Sequence, residues 1–304
     1  MVKQALEGVK IADFGWYGVG PWTCEYLGNH GATVVHVEST IYIDNLRTSA
    51  PAKDGIPGVN RSAYFAKFNS NKFGITLNLR HPRGLEVARR IITWADVVVE
   101  NHTPGMMGRQ GLGYEDLKQI KPEIIMLSAS AQGQTGPYAA HPAFGTQLSG
   151  LAGLTFITGW PDRAPVSPFG AYTDAIVPAF NVVAILAALD YRCRTGKGLH
   201  VDVSQLEVSL QFLMPLFLDF AANERVAARA GNVSPHGAPH GAYACRGDDR
   251  WCVITIFTDQ QWASFVKIVG NPALSRDPKF ATHLGRKKNE AELNRFVQEW
   301  TSKL

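Results

Sequence analysis

Apolar and polar positions alternate along this chain on two periods. Residues 9–14 (VKIADF) form a short apolar run of strand length, 15–21 a glycine-bearing turn, 22–29 a helical pattern and 33–38 (TVVHVE) a second strand. A loop over 39–60 carries Pro51, Gly55, Pro57 and Gly58. Beyond it the pattern resumes with a strand at 74–79, an amphipathic helix at 85–94 and a nearly continuous apolar strand at 96–100. A short helix at 114–120 and strands at 124–128 and 200–203 complete the series. Strand and helix in repeated alternation predict an α/β fold, a large doubly wound parallel-sheet (Rossmann-like) domain.

Between the last two strands lies the stretch 169–189, FGAYTDAIVPAFNVVAILAAL. Its apolar run, 175–189, predicts a buried helix with Asp174 at its start and Pro178 in its first turn, where a missing N–H costs little. A long apolar helix or helix pair is expected over 206–230, broken near Pro215. A glycine- and histidine-bearing loop follows over 231–241, then an antiparallel pair at 242–245 and 251–257 and helices at 261–269 and 290–303. The shift in composition near residue 223 divides the chain into a large domain, 1–222, and a smaller α+β domain, 223–304.

Composition narrows the function classes. Thirty Lys and Arg against 26 Asp and Glu leave a formal charge of +4 without basic tracts, which suits a small polyanion rather than a nucleic acid. The four cysteines, Cys24, Cys193, Cys245 and Cys252, have neither CxxC nor zinc spacing, so reduced and mostly buried thiols and no metal site are expected. The first ten residues carry no apolar leader and no apolar run spans a membrane uninterrupted, so a cytoplasmic protein without membrane contact is the expectation.

Two places carry candidate chemistry. The turn Gly15-Trp16-Tyr17-Gly18-Val19-Gly20-Pro21 follows a strand as a nucleotide-binding turn does, but Thr23 stands where the third glycine of a dinucleotide fingerprint would be. Asp174 has two readings on spacing alone. It is either a helix cap or an ionised carboxylate beside a cleft, able to attack an activated acyl group.

Six stretches resemble the family III CoA-transferases, the formyl-CoA and carnitine CoA-transferase (CaiB/BaiF-like) group. They are LEGVKIADF, GATVVHVE, FNSNKFGITLNL, ADVVVENHTPGMMGRQGLGYEDL, QGQTGPYAAHPAF, and the block from Asp174 through ILAALDYRCRTGKGLHVDVS. They cover most of residues 6–210 in order. The resemblance implies CoA transfer from an acyl-CoA to a carboxylic acid through an aspartyl anhydride and an aspartyl-CoA thioester at Asp174. It also implies a CoA site of Gly18, Val19, Leu77, Asn78, Leu79, Arg80, Asn101, His102, Thr103 and Arg109, with the two arginines on the phosphates, and a possible lid loop at Gly237 and Gly241. CoA would be a substrate and no cofactor would be permanently bound. An interlocked homodimer is implied, with a heteromer as the other possibility. Gly18 and Ser39 depart from the polar and basic residues common there. Phe144-Gly145 replaces the His-Asp pair of the related α-methylacyl-CoA racemases, which makes a racemase-like isomerase the weaker alternative beside a non-catalytic CoA-binding subunit. Family chains also return to complete the first domain, a segment this chain is expected to lack.

Overall fold

The computed structural model describes residues 3–270 and 277–304, which fall into two units: 3–155 with 167–226, and 156–166 with 227–270 and 277–304. In the larger unit the strands are β1 (Lys10–Asp13), β2 (Thr33–Glu38), β3 (Phe73–Thr76), β4 (Val97–Glu100), β5 (Ile125–Ser130) and β6 (Leu199–Ser204). All pair in parallel in the order β3-β2-β1-β4-β5-β6. The order reverses direction between β1 and β4, and the crevice beyond the carboxyl ends of such a pair is where open α/β sheets bind ligands.

The apolar runs are continuous because both faces of the sheet are covered. Successive residues point to opposite faces. Ile11, Val97, Val99, Ile125 and Leu127 accordingly join one buried cluster, and Ala12, Val98 and Met126 join the other. The helices of this unit are α1 (Val19–Asn29), α2 (Ala63–Phe68), α3 (Pro82–Trp94), α4 (Met106–Arg109), α5 (Tyr114–Ile120) and α6 (Gly145–Leu151). They continue with α7 (Leu154–Ile157), which ends in the smaller unit, α8 (Tyr172–Thr195), α9 (Gln205–Gln211) and α10 (Met214–Asn223). Cys24 and Leu27 of α1 and Val177, Ile185 and Ala188 of α8 fill the first cluster, while Ala88 and Ile92 of α3 and Leu117 of α5 fill the second.

Helix α8 departs from the sequence reading in three ways. It begins at Tyr172 after an Ala171 cap, so Asp174 is its third residue and caps nothing with its side chain. Pro178 therefore lies inside the helix, where it removes the N–H that would otherwise bond to the Asp174 carbonyl. The helix is also long and apolar enough, by length and composition, to cross a membrane. One face, Thr173, Val177, Asn181, Ile185, Ala188 and Leu189, is nevertheless buried, and Asn181 Nδ2 donates to Thr23 Oγ1 of α1 at 3.0 Å. On its other side Val183 and Leu186 are exposed.

The long helix expected to run to 230 stops at Asn223. Leu213, before the Met214-Pro215 pair, leaves helical geometry, and Glu224 turns left-handed (φ 55°), which ends α10. None of α10 is buried.

In the smaller unit β7 (His240–Ala244) and β8 (Trp251–Thr255) pair antiparallel beside α11 (Asp259–Val269) and helices His283–Lys288 and Glu290–Thr301. Tyr243, Ile256, Trp262, Phe265, Leu293 and Val297 form its core. Arg286, fully buried, donates to the carbonyls of Ala238 and Phe280 and to Asp259. The shift in composition near residue 223 leaves residues 156–166 in the large domain. Here they join this unit because Gly231 N donates to Gly159 O at 2.9 Å and Arg229 Nη1 to Phe156 O at 3.0 Å. Of the cysteines only Cys24 is buried, contrary to the expectation of mostly buried thiols, and Cys193 is exposed.

Candidate active site

The turn after β1 is built by backbone contact. A Cβ on Gly20 would lie 2.8 Å from Asn101 Oδ1 and 3.0 Å from the Gly15 Cα, so both positions need glycine for the chain to fold back over β4. Asn101, at the end of β4, clamps the turn: its Oδ1 accepts from Trp16 N and its Nδ2 donates to Trp16 O, both at 2.8 Å. Tyr17 is held in the left-handed region (φ 59°), a conformation that costs about 1–3 kcal/mol. The buried Asp44 carboxylate secures it by accepting its N–H at 2.9 Å. The Tyr17 ring meets Phe144 edge-on, with centroids 5.7 Å apart.

Beneath the turn lies a buried charge network. Asp13 Oδ2 accepts from Lys72 Nζ at 2.8 Å and lies 2.9 Å from His36 Nδ1, while its Oδ1 accepts from Gly15 N at 2.9 Å. Lys72 Nζ also donates to Pro21 O at 2.7 Å and to Asn69 Oδ1 at 3.0 Å. Burial pushes the Asp13 carboxyl up, but the Lys72 ammonium and His36 outweigh it and hold it well below the usual carboxylate range.

Asp174 is half-buried, and its side chain meets that of Gln205, the first residue of α9. Gln205 Nε2 donates to Asp174 Oδ1 and, at 2.8 Å, to Thr173 Oγ1; the Thr173 hydroxyl in turn donates to Gly145 O at 3.2 Å. The amide orientation follows from this chain, because a carboxylate only accepts and must face the NH2 group. A Cβ on Gly145 would run into Asp174 Oδ1, so α6 can begin here only with glycine. Burial pushes the Asp174 pKa up, and the Gln205 hydrogen bond offsets part of that rise.

A cavity of about 300 Å³ opens at these groups, lined by Trp16, Tyr17, Gly18, His141, Phe144 and Asp174 among others. Of the residues singled out from sequence, Gly18, Val19, Asn101, His102, Thr103 and Asp174 line it together. Leu77, Asn78, Leu79 and Arg80 line a second cavity of about 230 Å³ with Phe14, Glu38, Ser39 and Tyr42, and Trp16, His102 and Met106 border both. The Arg80 guanidinium lies over the Tyr42 ring, 4.5 Å from its centroid. His102 Nε2 is 2.9 Å from Phe14 O, which can only accept, so Nε2 carries the proton. Burial pushes the His102 pKa down, which favours this neutral form.

Other placements differ from expectation. Asn101 spends its amide on the Trp16 peptide. Arg109 is exposed at the end of α4 and lines neither cavity. In the smaller unit Gly241 is a strand residue paired with Ile254 rather than part of a loop, and Gly237 is buried, 3.3 Å in Cβ terms from Phe257. Among the described residues no group of three or more His, Cys, Asp or Glu could hold a metal ion.

Sequence reasoning missed Gln205, Gly145 and the Asp13–His36–Lys72 network. The one available signal for Gln205 was its place, a polar residue directly after a strand at the carboxyl edge of the sheet.

The family model described as CoA-transferase family III matches residues 6–304. The succinyl-CoA–D-citramalate CoA-transferase of Chloroflexus aurantiacus is 32% identical, over 98% of this chain and 73% of the relative. The succinyl-CoA:glutarate CoA-transferase of Mus musculus is 36% identical, over 99% of this chain and 69% of its own. Among solved structures, a CAIB/BAIF family protein from Brucella suis superposes with a TM-score of 0.90 at 33% identity, covering 100% of this chain and 79% of that one. With the parallel sheet, the glycine turn at its reversal and the matched length of chain, these likenesses establish that the chain belongs to the family III CoA-transferases.

Proposed function

We propose that the protein moves CoA from an acyl-CoA thioester to a carboxylic acid, with Asp174 as the covalent nucleophile. The observation that carries this reading is the Asp174 carboxylate, half-buried on a cavity and given one amide donor. A carboxylate stripped of water attacks a thioester more readily, and the same shielding protects an anhydride from hydrolysis. Exchange of one carboxylate for another needs no net proton transfer.

The larger unit is the proposed CoA-binding domain. The thioester end is assigned to the cavity at Asp174, against Gly18, Val19, His102 and Thr103, and the nucleotide end to the second cavity. There Leu77, Asn78 and Leu79 would receive the base and Arg80 would meet the phosphates through charge-assisted hydrogen bonds. Arg109 is left out of this assignment. A short dicarboxylic acid is the proposed acceptor class. Its support is the cavity volume, room for a few carbons, and the relatives' names, which pair succinyl-CoA with glutarate and D-citramalate.

The test is trapping. Incubated with succinyl-CoA and hydroxylamine, the protein is expected to yield a hydroxamate at Asp174, found by peptide mass spectrometry. An unmodified Asp174 alongside active transfer would sink the reading.

A second copy belongs to the proposal. Val183 and Leu186 of α8 and Phe217, Leu218 and Phe220 of α10 leave apolar side chains exposed that a partner chain would cover. A relative named as the beta subunit of a succinyl-CoA–L-malate CoA-transferase keeps a heteromer open. Sedimentation of the purified chain is expected to give a dimer; a monomer at micromolar concentration would count against a homodimer.

A further inference from the structure

The two oxygens of Asp174 are held differently. Oδ1 accepts from Gln205 Nε2 and is walled in by Gly145, where a Cβ would collide with it. Oδ2 is the oxygen on the side of Gly18, 3.5 Å from the position a Cβ would take there, and Gly18 lines the cavity. Gln205 is itself fixed. It is 7% exposed, and its second donor bond goes to the fully buried Thr173, whose hydroxyl is directed to Gly145 O. The NH2 group is therefore preset toward Oδ1 before any substrate arrives.

Resting on the aspartyl reading above, we propose that Gln205 is the oxyanion donor for the two steps at the Asp174 carboxyl carbon, with Oδ2 as the bond-forming oxygen and Oδ1 as the oxygen that carries the charge. In the first step Oδ2 attacks the acyl carbon of the donor thioester and the CoA thiolate leaves, giving the mixed anhydride. The thiolate then adds to the Asp174 Cγ, and the electron pair of the Cγ–Oδ1 double bond moves onto Oδ1, where Gln205 Nε2–H meets it. When that pair returns, the Cγ–Oδ2 bond breaks and the donor acid departs with Oδ2 as one of its oxygens. The acceptor carboxylate next adds to Cγ, charge again appears on Oδ1, and the thiolate leaves. Finally the thiolate attacks the acceptor carbonyl and releases Asp174 as a carboxylate. Electrons and atoms balance without any further reactant. A preorganised donor helps only where charge develops. Gln205 therefore assists the second and third of these four steps and not the first.

The test separates the steps. Wild type and Gln205→Met are mixed with succinyl-CoA and quenched in acid on the millisecond scale. Free CoA cut from the donor reports the first step, and CoA attached to the protein, read by intact mass, reports the second. In Gln205→Met the attachment of CoA is expected to slow by about 10²–10³-fold, the usual cost of one lost oxyanion donor, while donor cleavage slows by less than about tenfold. If Gln205→Met unfolds, Gln205→Leu, uncharged and without a polar hydrogen, reads the same two rates. Equal slowing of both steps would mean that Gln205 only orients the carboxylate, and unchanged rates would mean that it does nothing; either overturns the proposal. If the wild type attaches no CoA to Asp174, it is the underlying aspartyl reading that fails.

Discussion

Replacing Asp174 by asparagine is expected to lower CoA exchange between acids by on the order of 10⁴-fold or more, the scale seen when a covalent nucleophile is removed. Asparagine has the same shape, and its carbonyl oxygen can still accept from Gln205, so the network through Thr173 to Gly145 survives. What is lost is the anionic oxygen that attacks the thioester. Stability is expected to move the other way. Burial raises the Asp174 pKa, so the native state holds its proton more tightly than the unfolded chain. Above the unfolded value, ionising the carboxylate therefore costs the native state stability that a neutral amide restores. The variant should melt at or above the wild-type temperature while losing activity, a pairing typical of a functional group kept at some expense to the fold. Transfer at the original rate in Asp174→Asn would place the chemistry elsewhere.

The second large effect is on folding. Asp13→Asn is expected to destabilise the protein by about 3–5 kcal/mol, the cost of leaving one partner of a buried ion pair uncompensated. The Lys72 side chain is 2% exposed, and without Asp13 its ammonium keeps only neutral acceptors, Pro21 O and Asn69 Oδ1. The companion Lys72→Met in the same chain should recover much of the loss, because both charges are then gone. Urea unfolding of the two single variants and the double measures the coupling. The pH dependence has a definite sign. The folded pKa of Asp13 lies below its unfolded value, so this contribution is fully present above about pH 4 and fades as pH falls toward the folded value. The gap between wild type and Asp13→Asn should therefore narrow on acidification. An Asp13→Asn variant within about 1 kcal/mol of wild type at pH 7 would show that the network does not hold the turn.

That network marks the limit of what the linear chain reveals. Asp13 closes the first strand, His36 lies in the second and Lys72 directly precedes the third; nothing in their spacing joins them. The sheet order β3-β2-β1 sets them side by side. The doubly wound sheet, by contrast, could be read directly. Apolar runs of four to six residues separated by amphipathic stretches have few other ways to bury both faces of each strand. The resemblance gave Arg80 and Arg109 the same expected role, on the CoA phosphates. In the structure Arg80 lines the second of the two cavities, while Arg109 is exposed at the end of α4 and lines neither.

The sequence by itself determined the alternation of strand and helix, the glycine turn that must follow β1, and Asp174 as the acid at the start of the central helix. These are local properties: period, turn chemistry and the family-like order of motifs. Only the tertiary structure decided that Asp174 is the third residue of its helix rather than its cap, that Asn101 spends its amide on the turn, and that Gln205 and Gly145 both close on one carboxylate oxygen, Oδ1. Those facts depend on which strand and helix ends the fold brings together, and contact between residues tens of positions apart leaves no periodic trace in the chain.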